Sequence, residues 1–343
     1  GLGDVYKRQG SPWYRPTRIN HAVSGSDYGW RSGSGKWPEY YEDSLPAVLN
    51  IGPGSPTGVV SGRGARFPAK YQDAVFTLDW TFGVIYAVHL TPDGAGWRGE
   101  QEAFCHGTPL PVTDAIVGHD GDLYFTVGGR GTDSAVFRIT YVGDESTEPV
   151  SGELPGDDAR QLRRRLEAFH GHENPVAVES AWPHLSSNDR WLRHAARVAI
   201  ESQPVEQWAP RVFSESDNQA RITGAVALAR RGNASHRDDQ ITALLQLNPG
   251  ELHESELLGL LRAYALTFIR LGEPTAEQRK QVIAELDAHF PHASKDVNTE
   301  MVRVLVFLRA PSVIDKAIKL MANADATPPA WAAKIDFTRN ERY

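Results

Sequence analysis

The chain has 343 residues, a formal net charge of −7 and a single cysteine. This length allows two domains of ordinary size, each with its own core. The acidic balance argues against a general nucleic-acid binder, because neutralising phosphates requires a basic face. One cysteine excludes an intramolecular disulfide, and no apolar run in the sequence approaches the length needed to span a bilayer.

The N-terminus is unlike the start of a natural protein. Residues 1–9 begin without methionine, lack the pattern of a signal peptide and resemble a translated sequencing-adapter remnant. We therefore expect residues 1–9 to be a non-native leader, with a genuine flexible leader as the alternative. In either case we expect the chain to be a piece of a longer protein.

The first half of the chain contains two similar units that predict β-hairpins. Asp-Gly turns at residues 91–94 and 118–121 supply the positive φ angles that tight hairpins need. The apolar segments beside them repeat at an offset of roughly 50 residues, the period of a four-stranded propeller blade. The similar segments are 76–80 with 84–88, and 123–127 with 135–139. This pattern predicts neighbouring blades of a β-propeller.

We expect residues 10–147 to form a partial propeller. The predicted strands are 57–61, 74–79, 84–90 and 99–104 in one blade, and 114–117, 123–127 and 135–141 in the next. Residues 44–51 are predicted as a further outer strand. About 130 residues make only two to three blades, whereas closed propellers have at least four. We therefore expect these to be C-terminal blades, with others preceding them in the intact protein.

The second half of the chain has a helical pattern after a polar linker at residues 148–156. Most of the 31 glycines precede Asp144, and apolar side chains then recur at the spacing of buried helix faces. The predicted helices are 157–170, 174–184, 188–201, 217–230, 238–247, 254–270, 275–290, 299–309, 312–321 and 329–340. Amphipathic helices joined by short turns favour an α-solenoid of HEAT type over residues 157–343. Trp182, Trp191 and Trp208 are predicted to lie in its core.

Five motifs in the same chain order resemble one known family. They lie at residues 13–21, 27–31, 51–58, 79–88 and 109–114. The chain resembles the large exported "membrane-bound dehydrogenase" proteins of planctomycetes and related bacteria. The resemblance implies a propeller related to quinoprotein glucose and sorbosone dehydrogenases, then HEAT-like helices and usually a c-type cytochrome domain. It also implies a periplasmic or exported location.

The resemblance further implies a cofactor and an electron acceptor. Family members of this kind would oxidise a sugar or alcohol with pyrroloquinoline quinone and calcium, and pass electrons to a cytochrome c domain. This chain has no Cys-x-x-Cys-His motif for haem, since Glu102 stands where the first cysteine would precede Cys105. We therefore expect the cytochrome domain to lie outside this chain, and no membrane span within it.

The positions that would hold the quinone differ from the family pattern. Pro111, Thr113 and Thr81 stand where the dehydrogenases carry arginines and a lysine that bind the cofactor's carboxylates. Threonine cannot replace a bidentate guanidinium, which argues against quinone binding. The resemblance places the catalytic histidine in earlier blades, so no catalytic residue is assigned in this chain.

Polar residues at the predicted channel ends of strands are the candidate ligand-binding site. A carboxylate beside an aromatic ring suits sugars, whose hydroxyls need acceptors and whose C–H faces stack on rings. The candidates are Ser55, Thr57, Asp79, Trp80, Thr81, Thr113 and Asp114. The structural alternative is that Asp79 and Asp114 accept hydrogen bonds from neighbouring backbone amides and fix the turns between blades.

Two other polar groups have simpler interpretations. His170 and His172 favour helix capping over metal binding, because no fourth ligand is visible nearby, and no metal site is predicted. Four arginines between positions 160 and 165 are expected to form the solvated side of a helix, paired with nearby acidic residues. Two functions therefore stay open: a sugar or alcohol dehydrogenase, and a non-catalytic carbohydrate- or protein-binding propeller with a HEAT scaffold.

Overall fold

The computed structural model describes residues 17–31, 35–129, 131–151 and 157–323. Antiparallel strands occupy the first part of this range and α-helices the second, so the predicted β + α class is confirmed. The strands are β1 Thr17–Ile19, β2 Trp30–Arg31, β3 Gly35–Lys36, β4 Leu49–Gly52, β5 Pro56–Ser61, β6 Val75–Asp79, β7 Val84–Asp93, β8 Gly96–His106, β9 Val112–Val117, β10 Leu123–Gly129 and β11 Thr132–Ile139.

Two larger sheets follow the two predicted units. Strands β5, β6, β7 and β8 form a four-stranded antiparallel sheet in chain order, and β9, β10 and β11 form a three-stranded one. Strands β1 and β4 form one separate pair, and β2 and β3 form another. A one-turn helix, α1 Ala69–Gln72, connects β5 to β6.

The two larger sheets pack against each other and share one hydrophobic core. Phe76 on β6 and Phe125 on β10 are both buried in this core. Successive side chains of a strand point to opposite faces, which explains why apolar and polar residues alternate along β6. Leu78 faces the same core as Phe76, while Thr77 faces the opposite side of the sheet. The repeated units therefore occupy neighbouring sheets. The closure of these sheets into a propeller stays a prediction.

The helices follow β11 after residue 157. They are α2 Asp158–Glu167, α3 Ala177–Ala181, α4 Arg190–Glu201, α5 Ala209–Ser214, α6 Asn218–Arg231, α7 Arg237–Leu244, α8 Glu254–Arg270, α9 Ala276–Ala288, α10 Lys295–Phe307 and α11 Val313–Ala322. Side-chain caps begin α4, α6, α9 and α10: Asp217, for example, accepts a hydrogen bond from the amide of Ala220 at 2.8 Å. Helix 329–340 of the prediction lies outside the described residues.

The helices stack in two layers. Helices α2, α4, α6, α8 and α10 pack on one another in succession, and the remaining helices pack beside them. Trp182, Trp191 and Trp208 are buried in the common core, as predicted. This arrangement buries a continuous apolar interior between successive helices. The assignment of the stack to the HEAT type, and the boundaries at 147 and 157, stay predictions.

Three sequence interpretations require correction. Only Leu49–Gly52 of the predicted strand 44–51 is a strand, because the preceding residues pack against the helices and Leu45 joins their core. Arg160 and Arg163 are buried instead of solvated. Helix α5 was missed, since its six residues are too short to show a helical period.

One irregular segment of successive turns, residues 37–45, lies across the helices of the stack, and we call it the inner segment. The carboxylate of Asp43 is fully buried and accepts two hydrogen bonds of 2.8 Å from the guanidinium of Arg262 on α8. Glu42 pairs with Arg193 on α4 at 2.7 Å. The hydroxyl of Tyr40 donates to Glu300 on α10 at 2.7 Å. The inner segment therefore bonds to three different helices of the stack.

The tip of the β7–β8 hairpin makes a second contact with the helices. Ala95 is buried in the helical core, and its amide donates to the carboxylate of Asp189 at 2.5 Å. Arg163 on α2 donates to the carbonyl of Ala95 at 3.0 Å. A Cβ on Gly96 would lie 2.1 Å from Nε1 of Trp191, so only glycine allows this close approach.

Candidate functional site

The seven predicted ligand-binding residues come together where β5, β6, β7 and β9 meet, and we call them the strand-end cluster. Their members are Ser55, Thr57, Asp79, Trp80, Thr81, Thr113 and Asp114. Strand pairing brings Pro56 opposite Asp79, which places the start of β5 beside the end of β6. The hydroxyl of Thr57 donates to the carbonyl of Val112 at 2.8 Å and joins the two larger sheets. Residues from both repeated units thus form one group.

Asp79 is buried and bonded to backbone amides. Its carboxylate accepts from the amide of Ser55 at 3.0 Å and from the amide of Phe82 at 2.8 Å. A Cβ on Gly54 would lie 1.7 Å from Oδ2 of Asp79, so only glycine allows the backbone to approach the carboxylate this closely. These are the backbone contacts that the structural alternative predicted. A role of Asp79 in ligand binding stays a prediction.

Trp80 and Thr81 extend this bonded network. The indole Nε1 of Trp80 donates to the carbonyl of Gly128 on β10 at 2.8 Å, and the hydroxyl of Thr81 donates to the hydroxyl of Ser55 at 2.8 Å. Both side chains therefore tie together strands that are distant in sequence. Their polar atoms support the shape of the cluster.

Thr113 and Asp114 lie on β9 of the three-stranded sheet, where their side chains have different surroundings. The hydroxyl of Thr113 lies 2.8 Å from that of Thr126 on the neighbouring strand. Asp114 is exposed, and its Oδ1 accepts from the amide of Ala115 at 2.9 Å. Of the two carboxylates in this cluster, that of Asp114 is thus the more accessible and that of Asp79 the more buried.

A cavity of about 310 Å³ lies beside the strand-end cluster, on the face of the four-stranded sheet opposite the shared core. The β1–β4 pair covers this face, and Arg18, His21, Thr77 and Trp97 contribute to the lining. Sequence analysis missed these four residues. The alternation along β6 signals that Thr77 faces away from the core, but no sequence pattern brings β1 over the sheet.

The charged groups of the cavity are balanced by their neighbours. Arg18 donates to the carbonyl of Tyr28 at 3.2 Å and lies 3.5 Å from the carboxylate of Glu39. Burial, with the positive charges of Arg163 and Arg160, lowers the pKa of His21 to about 4. The His21 imidazole is therefore neutral at neutral pH, and the cavity carries no net charge from these residues.

The two histidines of residues 170–172 act in hydrogen bonding. His170 bonds through Nε2 to the carbonyl of Ala195 on α4 at 2.9 Å and through Nδ1 to the hydroxyl of Ser24 at 2.8 Å. It therefore joins α4 to the N-terminal segment instead of capping its own helix. Within the described ranges, no group of three His, Cys, Asp or Glu side chains is placed to hold a metal ion.

The prediction of no membrane span agrees with the helices that the structure describes, since none of them is both long and apolar enough to cross a bilayer. No protein-family model matches this chain, and no curated protein matches it. A solved structure from Thermus thermophilus carries the provisional description oxidoreductase (glucose dehydrogenase). It is similar over 38% of this chain and 37% of its own length, at 21% identity and a TM-score of 0.28. A likeness of this extent carries no argument, and the family stays a prediction.

Proposed function

We propose that this chain is part of a sugar- or alcohol-oxidising propeller protein of the quinoprotein-like dehydrogenase kind, with the strand-end cluster in its channel wall. The observation that carries the proposal is the convergence of residues from two repeated units into one polar group at the ends of neighbouring sheets. Propellers bind ligands at such strand ends around the central channel. An exported location and a cytochrome c acceptor belong to the same proposal.

The residues of this chain have a binding role in the proposal. The carboxylate of Asp114 is exposed and suited to accept a substrate hydroxyl, and Trp80 is the aromatic residue of the cluster. Asp79 holds the turn that positions Trp80. The base that removes the substrate proton lies outside the residues assigned in this chain.

Pyrroloquinoline quinone does not fit the three positions where the resemblance would place its carboxylate contacts. Pro111 has no side-chain donor, and the hydroxyls of Thr113 and Thr81 are already bonded to Thr126 and Ser55. Anionic carboxylates are held best by guanidinium or ammonium groups. We therefore derive no step through the quinone or its calcium ion.

A second candidate is a non-catalytic carbohydrate- or protein-binding propeller with a helical scaffold. The specific observation in its favour is that Asp79, Thr81 and Thr113 direct their polar atoms to neighbouring protein groups. Such a cluster stabilises a binding surface more readily than it moves protons. A carbohydrate-binding propeller shares its ligand class with the dehydrogenase and differs in that no oxidation follows binding.

The test combines binding and turnover on the full-length protein. Aldoses and small alcohols are titrated by calorimetry, and each is then offered with an artificial electron-accepting dye, with and without added quinone and calcium. Dye reduction supports the dehydrogenase. Sugar binding without dye reduction supports the binding protein. Binding of neither sugar nor alcohol contradicts the dehydrogenase and the carbohydrate-binding protein, and leaves the protein-binding propeller.

Asp114→Ala and Glu100→Ala provide the matched pair for this test. Both remove an exposed carboxylate from a strand, but only Asp114 belongs to the strand-end cluster. We expect Asp114→Ala to weaken sugar binding about tenfold, near the 1.4 kcal/mol of a hydrogen bond to a charged group. Equal loss in both variants would contradict the assignment of the cluster.

A further inference from the structure

The cavity under the β1–β4 pair has the size of a small-molecule site. Its volume is about 310 Å³, against the ~30 Å³ that one water occupies in the liquid. Small-molecule pockets begin at roughly 300 Å³. The space is therefore large enough for a single five- or six-membered ring compound.

Two buried polar atoms at this cavity have no hydrogen-bond partner among the described residues. They are Oγ1 of Thr77, whose residue is 6% exposed, and Nδ1 of His21. A buried hydroxyl without a partner costs about 1–3 kcal/mol, and native proteins rarely leave one in this state. Both atoms belong to residues that line the cavity. A ligand hydroxyl would satisfy a group that the fold leaves without a partner.

The remaining wall of the cavity is mostly apolar and without net charge. Val48, Ile51, Val75, Leu90 and Trp97 line it. The guanidinium of Arg160 lies 5.0 Å from the ring centroid of Trp97 and holds that ring in place. Arg18 is paired with Glu39, and His21 is neutral at neutral pH. These walls suit an uncharged molecule with an apolar face.

We propose that this cavity binds a small uncharged polyol of the size of a pentose or hexose ring, with one ligand hydroxyl bonded to Thr77 and the ring's C–H face against the apolar wall. The site is separate from the strand-end cluster. It rests on the proposed function only for the choice of sugars as probes. The requirement for a hydroxyl comes from Thr77 itself.

The decisive variant is Thr77→Val, which removes the hydroxyl and keeps the shape. We expect the affinity for D-xylose and D-glucose, measured by titration calorimetry, to fall about tenfold, which corresponds to 1.4 kcal/mol. Because the lost hydroxyl has no partner in the free protein, thermal stability should stay equal or rise. Thr132→Val on β11, in the other sheet, is the control and should bind as the wild type does.

A second variant tests the place of binding independently of the hydroxyl. Val59 lines the cavity and is 54% exposed, so Val59→Trp can fill the entrance without disturbing the shared core. We expect this variant to lose sugar binding while its unfolding temperature stays unchanged. Wild-type affinity in both Thr77→Val and Val59→Trp would overturn the proposal, as would the absence of sugar binding in the wild type.

The outcomes separate this site from the proposed function. If Thr77→Val binds and oxidises sugars as the wild type does, the cavity site fails while the dehydrogenase proposal stands. If sugar binding depends on Thr77 and no dye is reduced, the cavity site stands while the dehydrogenase proposal fails.

Discussion

Asp79 and Asp114 both belong to the strand-end cluster, yet their surroundings differ. Asp79 is buried and accepts hydrogen bonds from two backbone amides. Asp114 is exposed and accepts one hydrogen bond, from the amide of the next residue, Ala115. The same residue type within one cluster therefore has two different roles. Burial and the number of amide donors decide which role each aspartate has.

Replacement of Asp79 by alanine should destabilise the protein. The change leaves the amides of Ser55 and Phe82 without their acceptor in a buried turn, at about 1–3 kcal/mol for each unsatisfied group. Chemical denaturation followed by tryptophan fluorescence measures this loss. Asp114→Ala is the control and should stay within about 0.5 kcal/mol of the wild type. Equal losses in the two variants would contradict the difference in their roles.

Glu285 on α9 should give the protein a pH dependence in the neutral range. Burial raises the pKa of this carboxyl to about 8 from an ordinary 4.5. The folded protein therefore binds a proton that the unfolded chain has lost between these values. This contribution to stability is complete below pH 4.5 and is lost as the pH rises to about 8.

Glu285→Gln should remove that dependence. We expect the variant to have a higher unfolding temperature than the wild type at about pH 8 to 9, and a similar one near about pH 5. Thermal melts across this range measure the difference. Glu277→Gln on the exposed side of the same helix is the control and should follow the wild type at every pH. A wild-type unfolding temperature that stays constant over the same pH range would refute the role of Glu285.

At the scale of elements, the inner segment shows how acidic side chains can be held inside a helical stack. Burial alone would raise the pKa of Asp43, but hydrogen bonds and charge from Arg262, with Arg197 and Arg230 nearby, hold that pKa below its ordinary value. Arg193 and Arg190 do the same for Glu42. These carboxylates stabilise the folded protein at pH values above their ordinary pKa values. The stabilisation is lost as the pH falls through the lowered pKa values of the folded protein.

Asp43→Asn should be one of the most destabilising single changes in the chain. It keeps the shape but leaves the Arg262 charge buried without its partner, at about 3–5 kcal/mol. Urea denaturation at neutral pH measures the loss. Acid unfolding below about pH 4 should also become less steep, because one titrating carboxylate is gone.

The control for Asp43→Asn is Glu179→Gln, which removes a carboxylate that is 78% exposed from its pair with Arg211, itself 39% exposed. We expect its effect to stay below about 1 kcal/mol, as for other surface ion pairs. An Asp43→Asn variant as stable as Glu179→Gln would show that the inner segment does not hold the stack together.

The sequence predicted most elements because each carries a local signal. Helix α8 begins and ends where its apolar period does, and strands β6, β7 and β10 follow the alternation of Phe, Leu and Val side chains. The inner segment gave no such signal. Its partners lie on helices far along the chain, so only tertiary packing distinguishes it from a surface loop.

The site was predicted in part for the same reason. Residues of the strand-end cluster lie next to predicted strands, so the repeat itself brought them together. The cavity depends on β1 covering the four-stranded sheet, and the three residues of β1 have no period that predicts their position. Arg18, His21 and Thr77 were therefore missed.

At the scale of the whole molecule, the β7–β8 hairpin and the inner segment connect the sheets to the helices. The two contacts lie on different parts of the stack: the hairpin tip meets α2 and Asp189, and the inner segment reaches as far as α10. Such contacts predict that sheets and helices unfold together in one transition.

Gly96→Ala tests this cooperativity. The added methyl would collide with the buried indole of Trp191, and overpacking of this kind costs about 1–3 kcal/mol. We expect the single calorimetric transition to broaden or divide, and amides at the hairpin tip to exchange faster. Arg98→Ala, on the exposed side of the same hairpin, should leave both unchanged. A sharp, unshifted transition in Gly96→Ala would contradict the coupling.

The contact between Tyr40 and Glu300 spans 260 residues, and this has a consequence for how the protein is made. At about 5–20 residues per second, the ribosome releases Glu300 tens of seconds after Tyr40 has emerged. Throughout that interval the two tyrosine rings and two carboxylates of residues 40–43 are exposed to water, because the arginines that pair with the carboxylates have not yet been synthesised. Nascent chains of this protein should therefore engage holding chaperones around residues 40–43, and release them only once helix α10 has left the exit tunnel.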